Sequence, residues 1–525
     1  MQTPILGSAY VARSVNAADS RMINLFPEVL PEDAGGKTSA FLQRAPGLRS
    51  IATIGTGPIR GLHSYGDYMY VVSGNSLYQV NASYTAVLLG TVANDGPVSM
   101  ADNGVQLFVA CNGPSYIFNN TTNAFGQITD PDFTGATTVS YLDGYFVFIE
   151  PNSQLVWTTA ILDGTSIDPL DFASAEGSPD NLVSSIVDNS EAWLFGTNTI
   201  EVWYNAGNAG FPLQRIQGAF MEIGCAAAFS VAKLDSTVFW LGADTRGKGI
   251  IYRAKGYRGV RVSTHAVEWQ IQQYANISDA TAYTYQQDGH AFYVLSFPSA
   301  NATWVYDVST GAWHERAGFA NGEFTRQRAV CQTFFNNSVT LGDYQSGEIY
   351  AYNLTLFADG GRTQKWLRSW RALPTGTNNL RRTAQHSLQL DCEAGVGLDG
   401  STTATPAIPA FTGLTGGIST GPISSAPIDA TLVSAYFPEV PEVPAVEPQG
   451  ANPQVMLRWS DDGGHTWSNE HWKSMGMIGE YGKRVLWRRL GMTQKIRDRV
   501  YEISGTDPVP VYIMGAQLIV SPTNA

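Results

Sequence analysis

The sequence predicts an all-β protein: a β-propeller of about seven hairpin repeats with an additional C-terminal β-sandwich-like module carrying a long Pro/Thr/Gly-rich insertion. First, an aromatic-rich apolar run, a tight polar turn and a second aromatic or β-branched run recur seven times. Second, these units start about 38 to 54 residues apart, which is the period of propeller blades. Third, only 15% of the residues are charged while 53 are glycine, a balance typical of turn-rich β proteins.

Each repeat is predicted to be a β-hairpin. Asn, Gly, Ser and Pro at its centre permit a chain reversal, and branched or aromatic residues in its arms suit a pleated, half-buried surface. One hairpin cannot bury its apolar face alone, so neighbours must stack, and radial stacking leaves few open sheet edges. A two-sheet sandwich or several small β domains would also contain alternating strands, but they lack the longer period. The seven copies begin at Tyr68, Leu107, Tyr145, Trp193, Val238, Phe292 and Val339.

Three regions follow from the position of the repeats. Residues 1–56 form an N-terminal segment that leads into them, suited either to complete the last blade or to clasp a neighbouring subunit. Residues 57–355 form the β-propeller. Residues 356–525 form the C-terminal β module, in which residues 395–450 have too little apolar periodicity to build a core and are predicted to be a long loop or arm.

The negative charge of the chain belongs to the repeats. Residues 1–361 contain 17 basic and 31 acidic residues, whereas residues 362–525 contain 15 and 14. An acidic surface disfavours phosphate binding by counterion release, which argues against a protein that grips nucleic acid. Such a surface fits a passage through which DNA slides without sticking, and it equally fits the solubility of a large β protein.

One motif matches the Asp box found in sialidases. In that motif the aspartate ties down a turn by hydrogen bonds and the tryptophan packs beneath it, so its role is structural. A sialidase would carry several such boxes in its blades, together with three arginines, whereas here a single box lies outside the repeats. The matching positions are Ser460, Asp462, Gly464, Thr466 and Trp467.

The most basic stretch begins at Lys483. Alternation along a strand would place Arg484 and Arg488 on one face, and Arg489 on the other face with the apolar residues. These four residues are candidates for docking an acidic partner or a neighbouring subunit. The alternative is a solvated strand whose side chains extend their charged ends to water.

The search for catalytic chemistry is negative. The seven histidines lack metal-ligand spacing except for a weak His465/His471 pair, and no nucleophile or phosphate-loop motif is present. Glu176, Asp180 and Asp188 could be combined into a glycosidase pair, but nothing distinguishes them from other acids. We therefore expect no enzyme activity, no cofactor and no metal. The absence of an apolar run of transmembrane length predicts a soluble chain without its own export signal.

An ordered set of segments resembles the packaged-DNA-stabilisation proteins of short-tailed bacteriophages, also called tail hub or nozzle proteins. The likeness covers most of the chain, and it is the order of the segments that makes it specific. These segments are residues 21–28, 45–48, 57–62, 175–180, 194–204 and 483–491.

The resemblance implies a structural protein of the virion tail, made in the host cytoplasm. It implies a homo-oligomeric ring, expected to be a hexamer, below the portal and its head-tail adaptor protein. The ring would close the channel to retain packaged DNA and conduct the genome during ejection, so that genomic DNA only passes through. Other implied neighbours are a tailspike or tail fibre and, in some relatives, a tail needle or plug. The alternative is a carbohydrate-active or carbohydrate-binding, sialidase-like propeller, which would explain the Asp box and the aromatic residues.

Overall fold

Each predicted hairpin supplies the second and third strands of an antiparallel blade, and the propeller of seven hairpin repeats is confirmed. The turn chemistry is also as expected, because Gly74 and Asn112 adopt positive φ of 54° and 50° at two hairpin ends. The computed structural model describes residues 1–31, 35–93, 96–175, 177, 179–244, 247–377, 381–399, 411–415, 433–437, 449–494 and 498–523.

The seven blades follow one another along the chain, each running from an inner to an outer strand. Blade 1 contains Ile59–Tyr65, Tyr68–Ser73, Ser76–Val80 and Ala86–Thr91; blade 2, Ser99–Asp102, Gln106–Ala110, Ser115–Asn119 and Ala124–Gln127; blade 3, Val139–Leu142, Tyr145–Ile149, Leu155–Thr158 and Phe172–Ser174; blade 4, Leu182–Asp188, Glu191–Gly196, Ile200–Asn205 and Leu213–Met221. Blade 5 contains Gly224–Cys225, Ala232–Leu234, Thr237–Asp244, Gly247–Ala254 and Gly259–Arg261; blade 6, Thr281–Gln287, His290–Phe297, Ala302–Asp307 and Ala312–Glu315; blade 7, Ala329–Phe335, Ser338–Asp343 and Glu348–Asn353.

The fourth strand of blade 7 comes from the N-terminus. Gly47–Thr53 pairs antiparallel with Glu348–Asn353 and so closes the ring of blades. This is one of the two roles predicted for residues 1–56, and it joins residues from distant parts of the chain in one sheet. Apolar side chains fill the spaces between blades, for example Phe108, Phe146 and Phe148 between blades 2 and 3.

Side-chain hydrogen bonds join every blade to the next around the axis. Three of these bonds join His63 to Asp102 at 2.7 Å, Thr138 to Ser185 at 3.0 Å and Ser64 to Thr333 at 2.8 Å. In the other four bonds a hydroxyl group donates to a carbonyl oxygen of the backbone or of a side-chain amide. These bonds run from Ser99 Oγ to Val139 O, from Ser184 Oγ to Ala228 O, from Thr284 Oγ1 to Lys233 O and from Tyr283 OH to Gln327 Oε1.

A two-sheet β-sandwich combines N-terminal and C-terminal strands, and the predicted sandwich-like module is confirmed. Its apolar core includes Trp366, Trp370, Leu388, Ile503 and Leu518. The first sheet contains Met22–Ile23, Trp366–Arg371, Val500–Gly505, Gln454–Ser460 and His471–Ser474, and it continues into blade 6 through a parallel pair between Ile23 and Glu315. The second sheet contains Leu25–Val29, Ala40–Arg44, Tyr512–Pro522, Thr383–Cys392 and Val485–Arg488.

The remaining elements are short. One α-helix, His265–Gln272, and one 3-10 helix, Ala228–Ser230, belong to the propeller. No helix in the described part of the chain is long and apolar enough to cross a membrane. The other strands form four antiparallel pairs: Tyr10–Val11 with Asp19–Ser20, Ala317–Ala320 with Glu323–Arg326, Ala358–Asp359 with Arg362–Thr363, and Phe411–Thr415 with Val433–Phe437.

The predicted insertion at 395–450 lies mostly outside the described residues. Its two ends are joined by a hydrogen bond of 2.8 Å from Leu398 N to Gly450 O. Between these ends the structure describes only the antiparallel pair of Phe411–Thr415 with Val433–Phe437.

A buried arginine holds the N-terminal segment between the propeller and the sandwich. Arg44 is 4% exposed and donates to Val509 O at 2.9 Å and to Phe357 O at 3.1 Å. It also donates to Gln364 and to Asp507 O. The guanidinium therefore replaces its water shell with acceptors from two separate parts of the chain, residues 357–364 and 507–509, as burial of this charge requires.

A histidine bridges the propeller and the second sheet. His290 in blade 6 is 4% exposed, and its ring nitrogens lie 2.8 Å from Asp307 and 2.5 Å from Glu28. The hydrogen bond with Asp307, followed by that with Glu28, raises the pKa of His290 to about 9 despite opposition from burial. The imidazolium is therefore the form that holds Glu28 of the sandwich against blade 6 at neutral pH.

We expect Arg44→Met to destabilise the protein by about 3 to 5 kcal/mol, because it leaves several buried carbonyl groups without a donor. Thermal unfolding followed by calorimetry measures the effect. The matched control is Lys37→Met, which removes an exposed cation paired with Asp391 and should change stability by less than about 1 kcal/mol. Equal melting temperatures for the two variants would contradict the role given to Arg44.

The His290 bridge predicts a specific dependence on pH. The pKa of His290 is higher in the folded than in the unfolded state. The bridge therefore contributes about 3 kcal/mol to the free energy of unfolding below the unfolded pKa of about 6.5, and this contribution is lost as pH rises through about 9. The difference in stability between wild type and His290→Gln should therefore shrink from pH 6.5 to pH 9.5. His386→Gln, at an exposed position, is the control. A difference that stays constant over this range would refute the bridge.

Candidate functional site

Two edge strands lie together where the sandwich is farthest from the propeller. His471–Ser474 is the last strand of the first sheet and Val485–Arg488 the last strand of the second. Trp487 Nε1 donates to His471 O at 2.8 Å and so connects the two edges. We call residues 471–489 the basic face.

The basic face carries cations without intramolecular partners. Lys483 lies 3.3 Å from Glu480, but within the described residues no carboxylate pairs with Arg484, Arg488 or Arg489, all of which are exposed. Unpaired arginines are free to form forked hydrogen bonds with carboxylates of another molecule.

The predicted alternation is wrong at Arg489. The strand ends at Arg488, and Arg489 adopts a positive φ of 61°, with its N–H donating to His386 O at 2.8 Å. This turn sends Arg489 to solvent, whereas Val485 and Trp487 are buried in the sandwich core. All four predicted basic residues are therefore exposed.

Large apolar side chains are exposed beside these cations. Trp472 is 56% exposed, Ile478 63% and Tyr481 77%. Aromatic residues and arginine together are the composition typical of protein interfaces, and an exposed apolar patch with a polar rim marks a contact surface. The sequence analysis identified the arginines but missed these apolar neighbours, because their exposure depends on the ends of the sheets.

The Asp box forms the turn that leads to the basic face. Asp462 accepts hydrogen bonds from Thr466 N at 2.8 Å, Thr466 Oγ1 at 2.5 Å and Ser460 Oγ at 2.6 Å. The hydrogen bonds from Ser460 and Thr466 hold the pKa of Asp462 well below its usual value. Arg458 lies 4.7 Å above the centre of the Trp467 ring. The polar side chains of Ser460, Asp462 and Thr466 thus bond to one another within the turn.

Glycine is required in this turn for space as well as for conformation. Gly463 and Gly464 have positive φ of 78° and 104°. A side chain at either position would collide with Asn16 or Asp19 of the N-terminal segment. The box therefore positions the turn against residues 12–20, which supports the structural reading of the motif.

The propeller axis contains a cavity of about 1040 Å³ lined by the inner strands of the blades. Its two carboxylates are engaged, because Asp102 binds His63 at 2.7 Å and Asp279 accepts from Ser299 Oγ at 2.6 Å. Many of its hydroxyl groups form the cross-links between blades. The described lining thus offers no free pair of carboxylates of the kind that glycoside hydrolysis uses.

The other candidate chemical groups are not assembled into a site. Asp180 accepts hydrogen bonds from Asn198 N at 2.7 Å and from Thr199 N at 3.0 Å, which makes it a turn residue. Glu176 lies outside the described residues. His471 stacks on Trp459 with ring centres 4.7 Å apart. No group of three or more metal-binding side chains occurs in the described ranges.

A long stretch of the propeller carries acidic residues without lysine or arginine. From Gly61 to Gln214 the chain has fifteen aspartates and glutamates and no lysine or arginine, and the stretch is bounded by Arg60 in blade 1 and Arg215 in blade 4. The acidity of the repeats was predicted, whereas this concentration was not, although it can be read directly from the sequence. Duplex DNA would gain no phosphate contacts from cations within this stretch.

Two family models match the chain in order. The model described as "Bacteriophage P22 Gp10, beta-propeller" matches residues 1–356, and the one described as "Bacteriophage P22 Gp10, beta-sandwich" matches residues 441–521. No curated protein matches the sequence.

Solved structures resemble the propeller only distantly. The β-propeller domain of Cps50 (Swd1) from Myceliophteria thermophila has 9% identity and a TM-score of 0.37, covering 58% of this chain and 99% of its own. The computationally designed Ika8 protein has 13% identity and a TM-score of 0.36, covering 59% of this chain and 100% of its own. Neither likeness bears on function. The family matches do, and they establish that the chain belongs to the bacteriophage P22 Gp10 family, the packaged-DNA-stabilisation proteins of short-tailed phage tails.

Proposed function

We propose that this structural tail protein forms a ring below the portal and its adaptor, closes the channel to retain packaged DNA, and conducts the genome during ejection. The observation that carries the proposal is the ordered pair of family matches over propeller and sandwich. The ring, expected to contain six copies, would be assembled from chains made in the host cytoplasm. Its further neighbours would be a tailspike or fibre and a needle or plug.

The distribution of charge supports a conducting role. A wall formed by residues 61–214 would present carboxylates without lysine or arginine to the passing phosphates. DNA would then move without the many counterion-releasing contacts that make protein–DNA complexes stable. The basic face lies on the sandwich, where we propose that it binds protein carboxylates rather than DNA.

The test is electron microscopy of the purified protein, alone and mixed with portal–adaptor particles. We expect axial rings that cap these particles. In parallel, fluorescence anisotropy with a labelled duplex should give little binding at physiological salt, because the acidic blades repel phosphates. Particles that remain uncapped, or tight DNA binding with a steep salt dependence, would argue against the proposal.

The Asp box gives a second prediction, which concerns the absence of glycan chemistry. We expect Asp462→Ala to lower the free energy of unfolding by about 1 kcal/mol, because the turn loses hydrogen bonds at a half-exposed position. Glu470→Ala, at an exposed neighbouring position, should leave stability unchanged. Neither the wild type nor the variants should hydrolyse sialosides. Turnover by the wild type that disappears in Asp462→Ala, with an unchanged melting temperature, would favour a sialidase.

A further inference from the structure

A second exposed apolar surface lies on blade 3, in the connection between its third and fourth strands. Ile161 is 61% exposed, Leu162 62% and Leu170 76%, and Phe172 follows directly at 39%. We call residues 159–172 the acidic face, because Asp163, Asp168 and Asp171 alternate with these apolar residues. A monomer gains nothing from presenting this much apolar surface to water.

Hydrogen bonds fix the acidic face in shape. Thr158 N donates to Asp171 O at 3.1 Å, and Ala160 N donates to Ser166 O at 2.9 Å. Leu162 adopts a positive φ of 59°, which side chains of this kind rarely adopt, and its N–H donates to Gly144 O at 2.7 Å. A strained leucine held with its side chain in solvent is typical of a preformed contact site.

The negative charge of the acidic face favours a partner that carries cations. Its aspartates lie within the stretch from Gly61 to Gln214 that has no lysine or arginine. The burial of Asp171 and the neighbouring charge of Asp168 raise the pKa of Asp171, so a cation placed here would relieve the repulsion between them.

The basic face of the same chain has the complementary properties. It presents Trp472, Ile478 and Tyr481 to solvent, and its arginines have no carboxylate partner among the described residues. Its strands His471–Ser474 and Val485–Arg488 are the open edges of the two sandwich sheets, and a second chain can cover these edges.

The topology separates the two faces within one chain. The sandwich is attached to blades 6 and 7, and blade 3 is three blades away from each of them around the ring. The basic face is at the far end of the sandwich sheets from blade 6. One chain therefore cannot bring its own two faces together, whereas a contact between unlike faces of successive copies generates a ring when the rotation closes.

We propose that the acidic face of one copy docks on the basic face of the next copy, so that the ring is built from head-to-tail contacts. This inference rests on the ring of the proposed function and names the surfaces that form it. The apolar residues supply the buried centre of the contact, and the arginine–aspartate pairs set its register and direction.

Reversing the charge of one face at a time tests the contact. Arg484→Glu with Arg488→Glu, and separately Asp168→Lys with Asp171→Lys, should each weaken self-association about a hundredfold, because like charges then meet. Mass photometry and electron microscopy follow assembly, and melting temperatures confirm folding. Mixing the two variants in equal amounts should restore rings, because each contact then joins opposite charges again. A purely structural role of these residues cannot produce this rescue.

Matched controls reverse exposed charges elsewhere on the propeller. Lys255→Glu with Arg258→Glu on blade 5, and Asp67→Lys with Glu323→Lys, should assemble as the wild type does. Rings that still form in both face variants, or a mixture of the two variants that fails to assemble, would refute the pairing of the acidic face with the basic face. Neither result would refute the proposed ring. Loss of adaptor or fibre binding with normal rings would assign the basic face to that partner instead. A wild-type chain that stays monomeric on portal–adaptor particles would overturn the proposed function as well.

Discussion

The whole structure depends on the first 53 residues lying between two bodies that are otherwise far apart in sequence. Gly47–Thr53 is the closing strand of the propeller, while Leu25–Val29 and Ala40–Arg44 are strands of the sandwich. The N-terminal amine donates to Leu518 O at 2.7 Å, so both ends of the chain meet in the same sheet. Neither body has all its strands without this segment. Arg44 makes the arrangement specific, because this N-terminal residue finds its acceptors in the central part of the chain, at Phe357 and Gln364, and in the C-terminal part, at Asp507 and Val509.

This sharing of strands also explains how a single chain can act as one unit in a tail. The first sandwich sheet continues into blade 6 without a linker, and the His290 bridge holds the second sheet against the same blade. Relative movement of propeller and sandwich would break the backbone pairing of Ile23 with Glu315 as well as a buried ion pair. The acidic and basic faces are consequently held at a fixed separation and angle. In a head-to-tail assembly these two quantities decide whether copies close into a ring or continue as a filament.

The propeller could be predicted from the sequence because the second and third strands of every blade are the most apolar, as in Tyr145–Ile149 and Leu155–Thr158. The inner and outer strands escaped prediction, since they are short and partly polar: Ser99–Asp102 faces the axial cavity and Ala124–Gln127 faces solvent. Completion of the last blade was one of the two roles predicted for residues 1–56, and Gly47–Thr53 fills it. The place of Leu25–Val29 and Ala40–Arg44 in the sandwich was not predicted, because the partner strand of Ala40–Arg44 lies hundreds of residues away. Of the candidate site, the arginines and the Asp box could be found as motifs. The exposure of Tyr481 and Leu170 could not, because whether an apolar residue is buried depends on where a sheet ends.

The shared N-terminal strands also determine the order in which the chain can fold. During synthesis Ala40–Arg44 emerges several hundred residues before Tyr512–Pro522, the strand with which it pairs on the side away from Leu25–Val29. At about 5 to 20 residues per second, translation leaves this edge of Ala40–Arg44 exposed for tens of seconds. Blades 1 to 6 can stack meanwhile, since each pairs within itself. Completion of the sandwich is thereby tied to the synthesis of Tyr512–Pro522, so a copy that stops before this strand lacks the partner that Ala40–Arg44 needs.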